Sequence, residues 1–233
     1  MRRAEKAERI GRELDVRYPS LAIPLDHVDP FTLLVAVVLA AQTTDKKVNQ
    51  ITPALFARAP DPASLAAMPV EEIQRLVREV GLAPQKARAL HGLAERLVTV
   101  HRGEIPRTFE DLEELPGVGH KTASVVLAQG FGIPAFPVDT HVHRLATRWG
   151  LSEGRNVTQV EHDLKRLFPR DTWIRRHLQI VQFGRDTCPA LFHDLELCPI
   201  CSWAASRKQI KAERARNDAL RTRPPRLLPE ADA

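Results

Sequence analysis

Lys121 and Asp139 are the residues whose types and surroundings could do chemistry together. Lys121 follows Leu115-Pro116-Gly117-Val118-Gly119-His120 and opens a helical pattern, TASVVLA. Two glycines around one apolar residue allow a tight hairpin with its backbone N–H groups turned outward. The helix starting there adds the positive end of its dipole, so the turn can hold a phosphate without any side chain. Such a contact is blind to base sequence. A bare Gly-x-Gly is more often only a turn between helices, and the longer string is what carries the binding reading. A cation in a first helical turn opposes the dipole, which favours the neutral amine, a nucleophile able to form a Schiff base. The plainer role for Lys121 is a phosphate contact. Asp139 lies eighteen residues later in PVDTHVHR, at another helix start. Alone it would be a helix cap; paired with the hairpin lysine it is a candidate for handling protons and developing positive charge.

The elements that must position this pair are helical. Residues 4–18 carry Ile10, Leu14 and Val16 among charges, an amphipathic surface helix ending before Pro19. Asp29 caps a second helix with Pro30 in its first turn, and FTLLVAVVLAAQ is apolar on every face, as a core helix is. Thr44 or Asp45 caps a third, carrying Val48, Ile51 and Leu55. Further helical patterns cover 62–67, 70–80, 84–102, 108–115, 139–149, 158–167 and 172–183, punctuated by proline and glycine. No run of alternating strands and no solenoid repeat interrupts them. The predicted class is all-α.

Length and composition bound the rest. The chain has 233 residues, with 43% apolar and 27% charged, which suits a folded soluble domain or two. Three cysteines cannot form a disulfide scaffold. The N-terminus is charged without an apolar core of a signal peptide, and the apolar run 31–41 falls short of the ~20 residues of a membrane helix. A cytoplasmic, nucleoid-associated protein is expected, not a membrane one. The net charge is +5, and residues 207–233 supply +4 of it, with eight basic residues against four acidic. That segment reads as a basic, partly flexible tail that could add non-specific DNA affinity.

The strings LPGVGHKTASVVL at 115–127 and VDTHVHRL at 138–145 resemble the endonuclease III family of DNA glycosylases, in the helix-hairpin-helix superfamily. Supporting strings are Leu39-Ala-Ala-Gln42-Thr-Thr-Asp45, Val80-Gly-Leu82 and Lys86-Ala87. The likeness runs from about residue 8 to about 203. It implies two helical domains flanking a DNA-binding cleft. Residues 22–132 would form a six-helix bundle ending in the hairpin; residues 1–21 and 133–206 would form the second domain with the cysteine loop. Lys121 would be the nucleophile that attacks the sugar C1′ of a flipped-out nucleotide, and Asp139 the assisting carboxylate. Gln42 and Leu82 would fill the gap left by that nucleotide, Gly117 and Gly119 would hold the backbone, and His141 would sit near it. Relatives that only remove a base through activated water, such as adenine glycosylases acting on mismatches, lack the lysine at this position.

The family carries a [4Fe–4S] cluster on four cysteines spaced C-x6-C-x2-C-x5-C. Here Cys188, Cys198 and Cys201 have nine and two intervening residues, and Arg207 stands where a fourth cysteine would. Three readings follow. A cluster could take a non-cysteine fourth ligand, Asp194 first or His193. Zinc could be held by the three thiols and His193, since C-x2-C is its ordinary half-site. Or the loop folds without metal, its cysteines acting as small apolar residues. Three thiols in one short segment rank the iron–sulfur cluster first.

The reading is a bifunctional DNA glycosylase and abasic-site lyase of base-excision repair, removing oxidised pyrimidines from double-stranded DNA as a monomer. The rivals are a non-catalytic helix-hairpin-helix binding module and a mismatch or other-lesion glycosylase of the same superfamily. The Lys121/Asp139 pair speaks against the binding module.

Overall fold

The computed structural model describes residues 1–222. Among them the chain forms thirteen α-helices and no strand, as an all-α chain should. In order these are α1 (Arg3–Arg17), α2 (Pro30–Ala40), α3 (Asp45–Arg58), α4 (Pro62–Ala67), α5 (Val70–Leu76), α6 (Ala83–His101), α7 (Phe109–Glu113), α8 (His120–Val125), α9 (Thr140–Arg148), α10 (Val157–Leu167), α11 (Trp173–Asp186), α12 (Cys201–Ala204) and α13 (Arg207–Arg221). One π-turn, Val126–Gly130, continues α8, and a 3₁₀ turn, Arg170–Thr172, precedes α11.

The helix starts follow local chemistry. Asp29 accepts from the Thr32 backbone N–H at 2.7 Å, with Pro30 at the first position of α2. Thr44 fills the corresponding role for α3, its Oγ1 accepting from the Lys47 N–H. Asp61 and Thr108 cap α4 and α7 in the same way.

The chain divides into two compact units. One comprises residues 20–139 and 168–178; the other comprises 1–19, 140–167 and 179–233. In the first, α2 is buried from Phe31 through Leu39, and α3, α6, α8 and the π-turn pack around it. That all-round burial explains why the helix carries no polar stripe. Val48, Ile51 and Leu55 of α3 and Ala87, Leu90, Leu93, Ala94 and Leu97 of α6 complete this core. The unit extends beyond the expected 22–132, taking in the loop to Asp139, where Phe136 stacks on Phe168 with centroids 6.1 Å apart. In the second unit Ala7, Ile10 and Leu14 of α1 are buried, as are Val142, Leu145, Trp149, Val160, Leu164 and Phe183.

Within the expected basic, partly flexible tail, Arg207–Arg221 form α13. Ser206 caps α13 through the Gln209 backbone N–H, and Gln209 closes a capping box. Its Gln209 side chain donates to the Thr147 carbonyl, and Glu213 pairs with buried Arg148. Most of its polar residues line an exposed helical face; Asn217 and Glu213 anchor the other. Residues 223–233 of the expected tail lie outside the described residues.

Candidate active site and metal centre

The hairpin forms where the glycines place it. The Val118 N–H donates to the Leu115 carbonyl at 3.0 Å, and α8 begins at His120 with Gly119 as its N-cap. Leu115 and Val118 are buried, pinning the turn to the core, while Gly117, Gly119 and Lys121 are exposed. Lys121 is thus presented to solvent from the first turn of its helix. His120 braces the turn: its ring stacks on Phe109 with centroids 4.9 Å apart, and its Nδ1 lies 2.6 Å from Glu113 Oε1. This brace was not read from the sequence.

Asp139 immediately precedes α9 and is half-buried. The loop leading to it is fixed by apolar burial of Ala135, Phe136 and Val138, and by the His177 ring nitrogen 2.9 Å from the Pro137 carbonyl. Lys121 and Asp139 therefore belong to one compact unit, each at the start of a helix. His141 belongs to the other unit, half-buried in the first turn of α9. Its Nδ1 lies 3.1 Å from Arg144, whose guanidinium also donates to the Gly184 and Cys188 carbonyls.

Gln42 and Leu82 lie on adjoining loops. Both are exposed and both have left-handed backbone, φ 55° and 61°. Such a conformation costs a non-glycine residue about 1–3 kcal/mol and persists only when its surroundings impose it. The surroundings do so here. The Gly81 N–H donates to Thr43 Oγ1 at 3.2 Å, joining the two loops. Lys86 lies beneath them, 6% exposed, its ammonium donating to the Leu39 carbonyl at 2.8 Å, the Ala41 carbonyl at 2.5 Å and Thr43 Oγ1 at 3.0 Å. It covers orphan carbonyls at the end of α2 with a cation, where the helix dipole favours one. Burial pushes its pKa below the ordinary lysine value.

The cysteine loop brings four donors together. One ligand atom each from Cys188, His193, Cys198 and Cys201 falls within 4.8 Å of all the others, and all four residues are buried. Cys188 and Cys201 Sγ atoms are 3.7 Å apart. Asp194, expected as the first choice for the fourth ligand, is exposed and accepts from the Glu196 backbone N–H at 2.9 Å; His193 stands among the thiols instead. Alternation places one of two neighbouring residues inward, and here it is the imidazole. Hydrogen bonds from Cys188 and Cys201 hold the Cys198 thiol far below its ordinary range, while its bonds to Cys188 and Cys198 push the Cys201 thiol far above. The set is of the kind that holds a metal centre.

The matching family model is described as "HhH-GPD superfamily base excision DNA repair protein" and covers residues 35–170. Endonuclease III of Synechocystis sp. is 40% identical over 201 residues, 84% of this chain and 92% of the relative. Endonuclease III of Escherichia coli K12 is 38% identical over 190 residues, 82% and 90% respectively. Among solved structures, a trapped endonuclease III–DNA covalent intermediate superimposes with a TM-score of 0.85 at 37% identity, covering 91% of this chain and 99% of that one. A thermostable thymine-DNA glycosylase, at 23% identity and a TM-score of 0.79, shares the fold. Among the described residues no helix is long and apolar enough to cross a membrane. With the hairpin, the lysine and the aspartate in place, and likeness extending over most of the chain, this protein belongs to the endonuclease III family of the HhH-GPD superfamily.

Proposed function

We propose that this protein is a bifunctional DNA glycosylase and abasic-site lyase of base-excision repair, acting as a monomer on oxidised pyrimidines in duplex DNA. The observation that carries the reading is Lys121, exposed in the first turn of α8 directly behind a hairpin of outward backbone. The neutral amine attacks the sugar C1′ and the damaged base leaves with the glycosidic electron pair. Ring opening gives an imine between Lys121 Nζ and C1′. Loss of a C2′ proton then expels the 3′ phosphate, cutting the strand, and water releases the enzyme. Asp139 takes the amine proton and offsets positive charge on the sugar. Gln42 and Leu82, held out on left-handed backbone, occupy the space vacated by the nucleotide, and the hairpin grips a phosphate. The likeness to a trapped endonuclease III–DNA covalent intermediate supports this assignment. Borohydride added to the protein and an abasic duplex is expected to yield a covalent adduct together with strand cutting. A protein that binds the duplex yet gives neither is a binding module.

The two hairpin glycines separate fold from ligand. Gly117 has φ +79°, and a Cβ there would stand 2.9 Å from the Ala89 Cβ. Gly117→Ala should cost about 1–3 kcal/mol of stability and lose DNA binding with it. Gly119 has φ −97° and no atom within 4 Å of its would-be Cβ. Gly119→Ala should stay within about 1 kcal/mol of wild type and still bind duplex more weakly, because the methyl intrudes between amide and phosphate. Melting curves and filter binding on both variants check the contrast.

A [4Fe–4S] cluster is what the family resemblance implies at the cysteine loop. Three thiols on one segment support it. Against it stand the missing fourth thiolate and the close packing of the donors. The residues do not fit that group, and no step of the reaction runs through it.

A further inference from the structure

We infer that Cys188, His193, Cys198 and Cys201 bind a single tetrahedral zinc ion where the family resemblance implies an iron–sulfur cluster. The first argument is spacing. In a four-iron cluster each protein ligand sits on a different iron and points outward from a corner of the cube, so the ligand atoms stand well apart. Ligands that share one ion converge. Zinc–sulfur bonds of about 2.3 Å at tetrahedral angles separate two sulfurs by about 3.8 Å. Cys188 and Cys201 sulfurs are 3.7 Å apart, and all four donor atoms fit within 4.8 Å.

The second argument is the donor set. Three thiolates and one imidazole form an ordinary closed zinc site, and Cys198-x2-Cys201 is its usual half-site. His193 is 6% exposed, and its Nε2 is buried without a hydrogen-bond partner. The same ring lies against the Cys188 and Cys198 thiols, so the imidazole and the sulfurs meet in one pocket.

The third argument is that the chain builds a support for this ligand. Asn217 of α13 is buried; its Oδ1 accepts from the Phe192 N–H at 3.1 Å and its Nδ2 donates to the His193 carbonyl at 3.0 Å. Phe192 turns the loop with φ 54°, carrying His193 inward. Arg148 of α9, buried and paired with Glu213 of α13, donates to Cys188 Sγ at 3.3 Å and to the Pro189 and Ala190 carbonyls. The longer gap between Cys188 and Cys198 and the helix α13 therefore form one device: the extra residues carry a histidine, and the helix orients it. Second-layer contacts of this kind are worth about 10–100-fold in metal affinity.

The full-length protein should be purified both aerobically and without oxygen, and its metal and acid-labile sulfide measured. One zinc per chain is expected, with colourless protein and no sulfide in either preparation, also after anaerobic incubation with iron and sulfide. Exchange into cobalt(II) should give the visible ligand-field bands of a tetrahedral thiolate site. His193→Cys should keep one zinc and shift the cobalt spectrum toward a four-sulfur site; Asn217→Ala should weaken zinc about 10-fold against a competing chelator. Brown protein with several irons and matching sulfide overturns the inference, as does protein free of any metal. Lys121→Ala should retain its zinc, so loss of lyase activity and loss of metal are read separately.

Discussion

Lys121→Ala should abolish the borohydride adduct and lower strand cutting at an abasic site by at least about 10³-fold, a barrier increase of roughly 4 kcal/mol. The variant removes the amine that forms the imine, and no rearrangement of an exposed helix start supplies another. Stability should stay within about 0.5 kcal/mol, because Lys121 is exposed on the first turn of α8 and its removal opens no cavity. The helix itself should lose nothing, since a cation opposes its dipole there. Duplex binding should fall by a few-fold at most, because the hairpin holds phosphate through backbone N–H groups. Lys121→Arg sharpens the test. It keeps the positive charge and removes the nucleophile, so a catalytic lysine predicts an inactive variant and a phosphate-binding lysine predicts an active one. Gel resolution of trapped complexes and single-turnover cutting on the same duplex give both readouts. An active Lys121→Arg would return the residue to the role of a backbone contact.

Local chemistry in the sequence carried most of the helical layout, and it placed Lys121 and Asp139, the two residues to which we assign the reaction, at helix starts. Asp29-Pro30 before an unbroken apolar run starts α2 because a cap and a proline are read within one turn. The Gly-x-Gly ahead of Lys121 forms the hairpin because Gly117 alone tolerates its backbone angle. What stayed hidden depends on partners far along the chain. Lys86 reads as one more charge on an amphipathic helix, yet its ammonium is buried against carbonyls more than forty residues away. It bonds the residues on either side of Gln42, and the Gly81–Thr43 hydrogen bond ties that loop to the one carrying Leu82, so their presentation was not visible from their own neighbours. Composition is silent on the contacts of α13. Its charged residues read as a solvated run, and two of its polar residues work inward: Glu213 pairs with buried Arg148 of α9, and Asn217 bonds the backbone of the cysteine loop at Phe192 and His193. His193 over Asp194 was likewise decided by the turn at Phe192, a conformation no local pattern announces. Periodicity reports which face is apolar; it says nothing of polar side chains that work by being buried.

Asp139→Asn tests whether the carboxylate acts through its charge or through its place at a helix start. Asparagine has nearly the same shape and caps helices as well as aspartate does, so α9 should begin where it does now and melting should change little. What the substitution removes is a negative charge and a proton acceptor. If Asp139 takes the amine proton and offsets charge on the sugar, turnover should fall by about 10²–10⁴-fold while binding to an uncleavable abasic analogue stays near wild type. The loss should appear in the rate of adduct formation under single-turnover conditions, since the carboxylate acts before strand cutting. Asp139→Ala removes the carboxylate as well as any capping group, so a capping role would add about 1 kcal/mol of lost stability to the same chemical defect. Comparing the two separates the roles: equal turnover loss with unequal melting assigns chemistry to the charge and structure to the cap. An Asp139→Asn variant that cuts at the wild-type rate, or that loses binding and melting together, would reduce the residue to the structural role its position first suggests.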